Sequence, residues 1–381
     1  MRLALTDEQR LIQASVRQFA QEHLRPIAAE LDASGRFPQE TLRLMGPLGL
    51  LGMTVPEHWG GAGTDLVSLA LAIMEVSKAC ASHGTIMAVQ NALPTQALLH
   101  DGTDFQREHY LRPLAQGRSL GAFSLSEPGS GSDAASMQSR AERVPGGYRL
   151  FGTKAWVTSG GEADVYLTMV MTNPSAGSGG ITAFLLKREW PGISFGPPIE
   201  KLGIRAAVTT LMYLDGVFVP GENRVGEEGA GFKLALRHLN AGRIGIAAQA
   251  VGIAQAALEA SITYAKQRQQ FGQPIGEFQA IQFMLADMAT TLEAAELLML
   301  HAAWLKDQGQ DYIAAASQAK VFASEAAESI TSQAIQIHGG YGYCREFPVE
   351  RHYRDARVTS IYEGTSEIQR IVIAREILKQ R

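Results

Sequence analysis

The hydrophobic residues of this chain follow a helical period at both ends and a strand-like alternation in the middle. Near the N-terminus, Thr6 and Gln9 form a predicted capping box, after which apolar residues recur on one face of a helix. Helical spacing continues to about residue 117, with a Gly-rich loop on the way. The pattern therefore predicts an N-terminal helical domain at 1–119.

Between Leu120 and about Val225 the pattern changes to short segments rich in β-branched and aromatic residues. GAFSLSE, DVYLTMVM and ITAFLLK are examples, and clusters of Gly, Pro, Asn and Ser separate them. Many short strands without long helices between them are typical of an antiparallel barrel or sandwich. We expect a middle antiparallel β-barrel domain at 120–229.

After Gly231 the helical period returns in long segments, the first of which is Ala-rich and contains no proline. This pattern predicts a C-terminal four-helix bundle at 230–381. The predicted helices are 232–270, 279–306, 312–337 and 366–379. The expected fold class is mainly α with a central β domain, in the order helical, β, helical.

The composition narrows the choice of partners and compartment. The chain has 381 residues and a net charge of −4 at pH 7, whereas nucleic acids and anionic membranes attract basic surfaces. The two cysteines, Cys80 and Cys344, form neither a disulfide framework nor a metal-binding cluster. We find no targeting peptide pattern and no run of about 18 apolar residues. We expect a cytoplasmic protein that binds neither nucleic acid nor membrane.

The stretch FSLSEPGSGSDAASM contains Gly129-x-Gly131-x-x-Ala134, which superficially resembles a dinucleotide fingerprint. That fingerprint requires a strand before it and a packed helix after it. Here the sequence continues into a predicted strand and turn, so we reject a nicotinamide-binding fold. A Gly/Ser-rich turn can still hold a polar cofactor through its free N–H groups, and an ordinary hairpin turn is the alternative.

Trp156 lies on a predicted strand with Thr158 two residues later, and therefore on the same face. An indole beside a hydroxyl suits a flat ring system with a hydrogen-bonding edge, although a buried core tryptophan is the commoner case. The segment QIHGGYGY follows a predicted helix, and Gly339–Gly340 could simply cap it. No metal-ligand spacing and no G-x-S-x-G motif is present.

Glu363 lies beside Ile361, Tyr362 and Gly364, just before the last predicted helix. A carboxylate in apolar surroundings has a raised pKa and suits proton transfer. An exposed glutamate in a helix-entry turn is the alternative interpretation.

Nine segments in order resemble the acyl-CoA dehydrogenase family over essentially the whole chain. They are SEPGSGSD, WVTSGG, KLGIR, VFVP, NAGRIGIAAQAVGIAQAALEASITYAKQRQQFG, FQAIQFMLADMA, QIHGGYGY, ERHYRDARV and IYEGTSEIQRIVIARE. One departure is Ala206–Ala207, where relatives often have hydroxyl residues, and no polar contact is inferred there.

The resemblance implies an FAD enzyme that removes hydrogens from Cα and Cβ of an acyl-CoA thioester. The glutamate of YEGT, here Glu363, is the implied base that takes the α proton, while flavin N5 accepts the β hydride. Some relatives carry the base on the long helix, where this chain has Gly242. The implied donors to the thioester oxygen are the N–H of Glu363 and the ribityl 2′-hydroxyl of FAD.

The resemblance also implies the binding residues. Those implied for FAD are Phe123, Leu125, Ser126, Ser132, Trp156, Val157, Thr158, Arg268, Phe271, Gln279, Gln336, Ile337, Gly339, Gly340, Thr365 and Glu367. Those implied for the acyl-CoA are Ser132, Asn240, Arg243, Tyr362 and Gly364. Tyr362 and Ile361 are expected to form an apolar wall beside Glu363.

The segments around Gly242 and Glu363 look most like the short-chain members, which implies a four- to six-carbon acyl group. The implied assembly is a homotetramer (a dimer of dimers), and the implied electron acceptor is an electron-transferring flavoprotein. An acyl-CoA oxidase that uses O₂ and a DNA-associated stress flavoprotein of the same fold are the alternatives. Oxidases are generally longer, and the negative net charge argues against DNA.

Overall fold

The computed structural model describes residues 4–379. The N-terminal region is helical, and the capping box of Thr6 and Gln9 confirms where the first helix begins. The helices are α1 (Asp7–Phe19), α2 (Ala28–Ser34), α3 (Gln39–Met45), α4 (Leu66–Ala79), α5 (Ala81–Ala92), α6 (Pro94–Asp101), α7 (Asp104–Gln106) and α8 (Arg112–Ala115). A π-helical turn at Ala20–Leu24 continues α1, and another at Arg107–Leu111 joins α7 to α8.

The middle region forms an eight-stranded sheet in the order β6-β7-β3-β2-β4-β5-β8, with β1 beside β4. Its strands are β1 (Gly121–Ser124), β2 (Arg140–Val144), β3 (Gly147–Thr158), β4 (Val165–Met171), β5 (Ile181–Lys187), β6 (Ile193–Phe195), β7 (Thr209–Pro220) and β8 (Arg224–Val225). Most neighbours are antiparallel, as the short alternating segments predict. Two pairings, β1 with β4 and β2 with β4, are parallel and were not predicted.

After the sheet comes a long helix, a small two-stranded ribbon and the remaining helices. These elements are α9 (Gly231–Gln267), β9 (Gln269–Gln270), β10 (Gln273–Pro274), α10 (Gln279–Asp307), α11 (Ile313–His338), α12 (Val349–Ala356) and α13 (Ser366–Lys379). Helices α9, α10 and α11 pack together, and α13 packs on α11. The four helices predicted from periodicity are therefore all present.

Helices from both ends of the chain share one hydrophobic core, in which α4 and α5 pack against α9. A second cluster lies between the sheet and the helices, and a third lies within the folded sheet. Helix α9 is long and apolar enough to cross a membrane, but 83 % of its most apolar window is buried inside the protein. Its apolar composition is that of a central core helix, and it brings the N-terminal helices, the sheet and α11 to one place.

Candidate active site

Glu363 lies in a short turn between a 3₁₀ segment at Arg357–Ser360 and helix α13. Its backbone has φ = 51°, and Gly364 follows with φ = 96°, so two consecutive residues occupy the left-handed region. Such a conformation costs a non-glycine residue about 1–3 kcal/mol and persists only where the surroundings impose it. Here the amide of Gln369 holds the turn by donating to the carbonyl oxygen of Gly364 at 2.8 Å.

Both carboxylate oxygens of Glu363 are buried and accept no hydrogen bond from any residue between 4 and 379. They face Gly242 on α9, where an added Cβ would lie 2.3 Å from Oε2 of Glu363. Burial raises the pKa of Glu363 to about 7, while the positive charges of Lys320 and Arg243 oppose the rise. The buried oxygens exclude the alternative of an exposed helix-entry glutamate.

Two buried cations, Arg243 and Lys320, lie close enough to Glu363 to affect its charge. Arg243, on α9, donates from Nη1 to Oγ of Ser317 at 3.0 Å. Lys320 is on α11, about one turn after Ser317, and its Nζ donates to the carbonyl oxygen of Gly364 at 2.8 Å. The burial of Arg243 and its bond to Ser317 place it beside the carboxylate, and its contact with CoA stays a prediction.

Tyr362 is part of a buried polar network rather than of a purely apolar wall. Its hydroxyl donates to Oε1 of Gln249 on α9. The amide nitrogen of Gln249, which is fully buried, donates in turn to Oγ1 of Thr85 on α5 at 2.8 Å. Ile361 is 49 % exposed, so the expectation of an apolar wall formed by Ile361 and Tyr362 is corrected.

Trp156 presents its indole outwards from the sheet. The side chain is 63 % exposed, which excludes the alternative of a core tryptophan. The register between β3 and β7 shifts between Lys154 and Val157, and Trp156 sits in this bulge with φ = 59°. Thr158 is partly exposed, whereas Val157 between them is fully buried in the sheet core. Val157 could therefore meet a cofactor only through its main chain.

The loop that contains the GSG segment packs beside this bulge. The N–H of Ala155 donates to the carbonyl oxygen of Ser126 at 2.8 Å. A Cβ added to Gly129 or Gly131 would meet no atom within 4 Å, so the tip of the loop is open. The loop continues through one 3₁₀ turn at Ala134–Ser136 into β2. No long helix follows the glycines, in agreement with our rejection of a nicotinamide fold.

A buried ion pair fixes the base of that loop. Glu127 is 5 % exposed and accepts from Nζ of Lys154 at 2.8 Å. It also accepts from the N–H groups of Gln138 at 2.6 Å and Ser139 at 2.9 Å. Burial alone would raise the pKa of Glu127, but Lys154 and these donors outweigh it and hold the pKa below its ordinary value.

The remaining residues implied for the sheet side lie around the same loop and the start of α13. Phe123 is partly exposed, Ser132 is exposed, and Leu125 is buried in the cluster between sheet and helices. Thr365 caps α13 by accepting from the N–H of Ile368 at 3.3 Å. Glu367 is exposed in the first turn of α13, and Asn240 and Gly364 are partly exposed.

A second group of implied FAD residues lies at the far ends of α9 and α11. Its members are Arg268, Phe271, Gln279, Gln336, Ile337, Gly339 and Gly340. Phe271 is 93 % exposed with φ = 51°, and the Arg268 guanidinium lies 5.4 Å from the centre of the Tyr341 ring. Ile337 is buried in the helical core, so its side chain is not available to a ligand.

The two groups of implied FAD residues lie near different positions along α9. Arg268 follows Gly242 by 26 residues, which is roughly 39 Å of helix. The Arg268 end of α9 therefore lies far from Glu363 within a single chain.

Our sequence analysis missed five residues that shape the site. They are Glu127, Lys154, Gln249, Lys320 and Gln369. A signal existed for Lys320, because it shares a helical face with Ala316, Ala323 and Ala327, all of which are buried. A lysine on an apolar face of a helix is buried, so its ammonium group needs an acceptor inside the protein. The Glu127–Lys154 pair spans a loop and a strand, and no local pattern marks such a contact.

Family models match almost the whole chain. The acyl-CoA dehydrogenase N-terminal domain matches residues 6–118, the middle domain matches 122–217 and the C-terminal domain matches 229–378. The short-chain specific acyl-CoA dehydrogenase of Bos taurus mitochondria is 47 % identical over 375 residues, which cover 98 % of this chain and 91 % of that protein.

Solved structures agree with this match. Butyryl-CoA dehydrogenase from Megasphaera elsdenii is 42 % identical with a TM-score of 0.97, covering 99 % of this chain and 100 % of that one. A chain in the structure of the electron transferring flavoprotein of Acidaminococcus fermentans is 43 % identical with a TM-score of 0.98, and each chain is covered completely. The chain therefore belongs to the acyl-CoA dehydrogenase family of flavoprotein oxidoreductases.

Proposed function

We propose that this enzyme oxidises short-chain acyl-CoA thioesters to trans-2-enoyl-CoA, with Glu363 as the base that removes the α proton. The observation that carries the proposal is the buried, unpaired carboxylate of Glu363, which faces Gly242 and has a pKa of about 7. A base is most effective when its pKa lies near the working pH, because it is then both ionised and strong enough to take the proton.

The turn around Glu363 supports this role beyond the carboxylate itself. The N–H of Glu363 has no acceptor among the residues that the structure describes, so it is free to donate to a thioester oxygen. Removal of the α proton places negative charge on that oxygen, and a fixed N–H donor stabilises such charge. The left-handed backbone of Glu363 and Gly364 sets the direction of this donor relative to the carboxylate.

The sheet side fits FAD by its shape and chemistry. Trp156 offers an exposed aromatic face, Thr158 a hydroxyl beside it, and Gly129 and Gly131 an open loop tip that a polar group can approach. Bound FAD would accept the β hydrogen as hydride. Phe123, Ser126, Ser132 and Thr365 would line the same cofactor.

The separation of the two FAD groups along α9 supports an oligomer. The Arg268 end of one copy would hold the adenosine part of the FAD that lies beside Glu363 of another copy, and the exposed Phe271 suits such a covered position. At least a dimer is then required for a complete site. We infer a homotetramer built as a dimer of dimers, which sedimentation or light scattering would test.

Gln249 supports the short chain length. Gly242, which faces the carboxylate, and Gln249 lie on α9 seven residues apart, about two helical turns and roughly 10 Å. The bonds of Gln249 to Tyr362 and Thr85 join α9 to the turn before Glu363 and to α5 at this distance. We infer that Gln249 limits the acyl group to four to six carbons. We expect Gln249→Ala to raise the relative kcat/KM for octanoyl-CoA over butyryl-CoA about tenfold. An unchanged ratio would place the end of the acyl pocket elsewhere.

The test of the proposal is an anaerobic reaction of the purified flavoprotein with butyryl-CoA, followed by the visible flavin band. We expect rapid bleaching in the wild type and, in Glu363→Gln, retained FAD with bleaching slowed by at least about 10²-fold. Near-normal bleaching in the variant would refute Glu363 as the base. Reoxidation by an electron-transferring flavoprotein but poorly by air would support a dehydrogenase over an oxidase.

A further inference from the structure

Lys320 is a buried lysine that makes no hydrogen bond to a carboxylate within residues 4–379. Its side chain is 0 % exposed, and among these residues Nζ makes one hydrogen bond, to the carbonyl oxygen of Gly364 at 2.8 Å. A buried ammonium group is costly, and most are retained only with a paired anion. Lys154, the comparable buried lysine of the sheet, has such an anion in Glu127. The anion that most affects the pKa of Lys320 is instead the carboxylate of Glu363.

We propose that Lys320 is a positioning residue for the reaction, which holds the Glu363–Gly364 turn through the Gly364 carbonyl and supplies a positive charge beside the Glu363 carboxylate. This inference rests on the proposed function, because it takes Glu363 as the base.

The hydrogen bond gives Lys320 control over the shape of the turn. Gly364 O accepts from Nζ of Lys320 on α11 and from Nε2 of Gln369 on α13, so two helices hold the peptide between Gly364 and Thr365, one residue after Glu363. Glu363 has a left-handed backbone that is unfavourable in isolation. Removing one of the two donors would relax this peptide and with it the direction of the Glu363 N–H and side chain.

The charge acts through space on the same carboxylate. The charged groups that affect Glu363 are Lys320 from α11 and Arg243 from α9, and the phenol of Tyr362 lies next to it in the chain. Burial lowers the pKa of Lys320 to about 8, while Glu363, Glu367 and Glu325 oppose the fall and Arg243 adds to it, so Lys320 carries its positive charge below that pH. Burial raises the pKa of Glu363, and the two cations oppose that rise. Loss of Lys320 would therefore raise the pKa further and leave less of the base ionised near neutral pH.

The experiment measures the anaerobic rate of flavin reduction by butyryl-CoA between pH 6 and 9 in the holoenzyme. Lys320→Met removes charge and donor, while Lys320→Gln removes the charge but keeps N–H donors. Lys306→Met is the control, since Lys306 on α10 is partly buried and interacts with the charge of Asp307 and not with that of Glu363.

We expect the pH at which the reduction rate reaches half of its plateau value to rise by about one unit in both Lys320 variants. At pH values below both midpoints, this shift lowers the rate about tenfold. In Lys320→Met the plateau at high pH should also fall about 10- to 100-fold, because the turn loses a donor. Lys306→Met should keep the wild-type midpoint. If Lys320→Met does not retain FAD, Lys320→Gln decides alone.

A wild-type midpoint in Lys320→Gln would overturn the electrostatic role, and an undiminished plateau in Lys320→Met would overturn the positioning role. These results are separable from failure of the proposed function, which would appear as retained activity in Glu363→Gln. If Glu363→Gln is inactive and the Lys320 variants behave as wild type, only the inference about Lys320 fails.

Discussion

Glu363 and Glu127 are both glutamates with buried carboxylates, but their surroundings differ. Glu127 accepts three hydrogen bonds, from Lys154 and from the main chain at Gln138 and Ser139. Glu363 accepts none from the described residues, and the cations near it bond to other groups. The pKa of Glu127 lies below its ordinary value, whereas that of Glu363 rises to about 7.

The difference shows how one side chain serves two purposes. A buried carboxylate with a full set of donors is a structural anchor, here for the loop that we propose lies against FAD. A buried carboxylate without donors remains available to take a proton, because protonation costs it no hydrogen bond. The enzyme thus uses cations in two ways: Lys154 neutralises its glutamate by direct contact, while Arg243 and Lys320 only moderate theirs.

The largest effect should come from removing the unpaired carboxylate. Glu363→Gln should lower the rate of flavin reduction by about 10²- to 10⁴-fold, because the amide cannot accept the α proton. Glu376→Gln is a suitable control, since Glu376 lies on the same final helix and, within residues 4–379, pairs with Lys379 alone. A comparable loss of rate in both variants would mean that helix α13, rather than the base, is responsible.

Removing the paired carboxylate should instead destabilise the fold. Glu127→Gln leaves the ammonium group of Lys154 buried without its anion, which should cost about 3–5 kcal/mol of unfolding free energy. Urea unfolding would measure it, with Glu142→Gln as control because its ion pair with Arg140 is exposed and should contribute less than about 1 kcal/mol. Equal stability losses in the two variants would contradict the anchoring role of Glu127.

The space beside Glu363 offers a third comparison. In Gly242→Ala the new methyl group would overlap the position of Oε2, so the carboxylate must move. We expect kcat to fall about 10²-fold with the fold intact, because a displacement of about 1 Å is enough to misalign a base. Gly196→Ala in the sheet, where a Cβ would make ordinary contacts, should leave kcat unchanged. Full activity in Gly242→Ala would show that the carboxylate acts from another position.

The smallest effect should be on the pH dependence of stability. The pKa of Glu363 is raised on folding, so its protonated form stabilises the folded state below pH 4.5, and this contribution is lost as the pH rises through 7. The lowered pKa of Glu127 has the opposite effect. Its ionised form stabilises the folded state at pH values above its ordinary pKa, and this contribution is lost as the pH falls. Between pH 5 and 8, Glu363→Gln should gain about 2–3 kcal/mol relative to wild type. A constant difference across this range would contradict the raised pKa.

Sequence reasoning predicted more of the fold than of the site's electrostatics. The order of elements follows from periodicity, and α13 begins at Ser366 as predicted. The parallel pairing of β1 with β4 depends on how the β2–β3 hairpin folds back, which local alternation does not specify. Glu363 and the empty position at Gly242 were found by resemblance, whereas their contact across the fold could only come from the structure.

The residues that tune Glu363 were harder to find because their partners are distant in sequence. Lys320 bonds to a residue 44 positions away, and Gln249 accepts from one 113 positions away. The bulge at Trp156 was also missed, because a period of two assumes a regular strand. The one sequence pattern that could have revealed such a residue is a polar side chain on an otherwise apolar face of a helix.

An infrared titration of the carboxyl groups of Glu363 and Glu127 in the unliganded protein tests most directly whether their surroundings separate their pKa values. Difference spectra against Glu363→Gln and Glu127→Gln would assign the carbonyl stretch of each protonated side chain as the pH is lowered. We expect the Glu363 band to appear with a midpoint near pH 7, and the midpoint of the Glu127 band to lie below 4.5. A midpoint for Glu363 near 4.5, the ordinary value, would contradict the claim that its environment prepares it as a base.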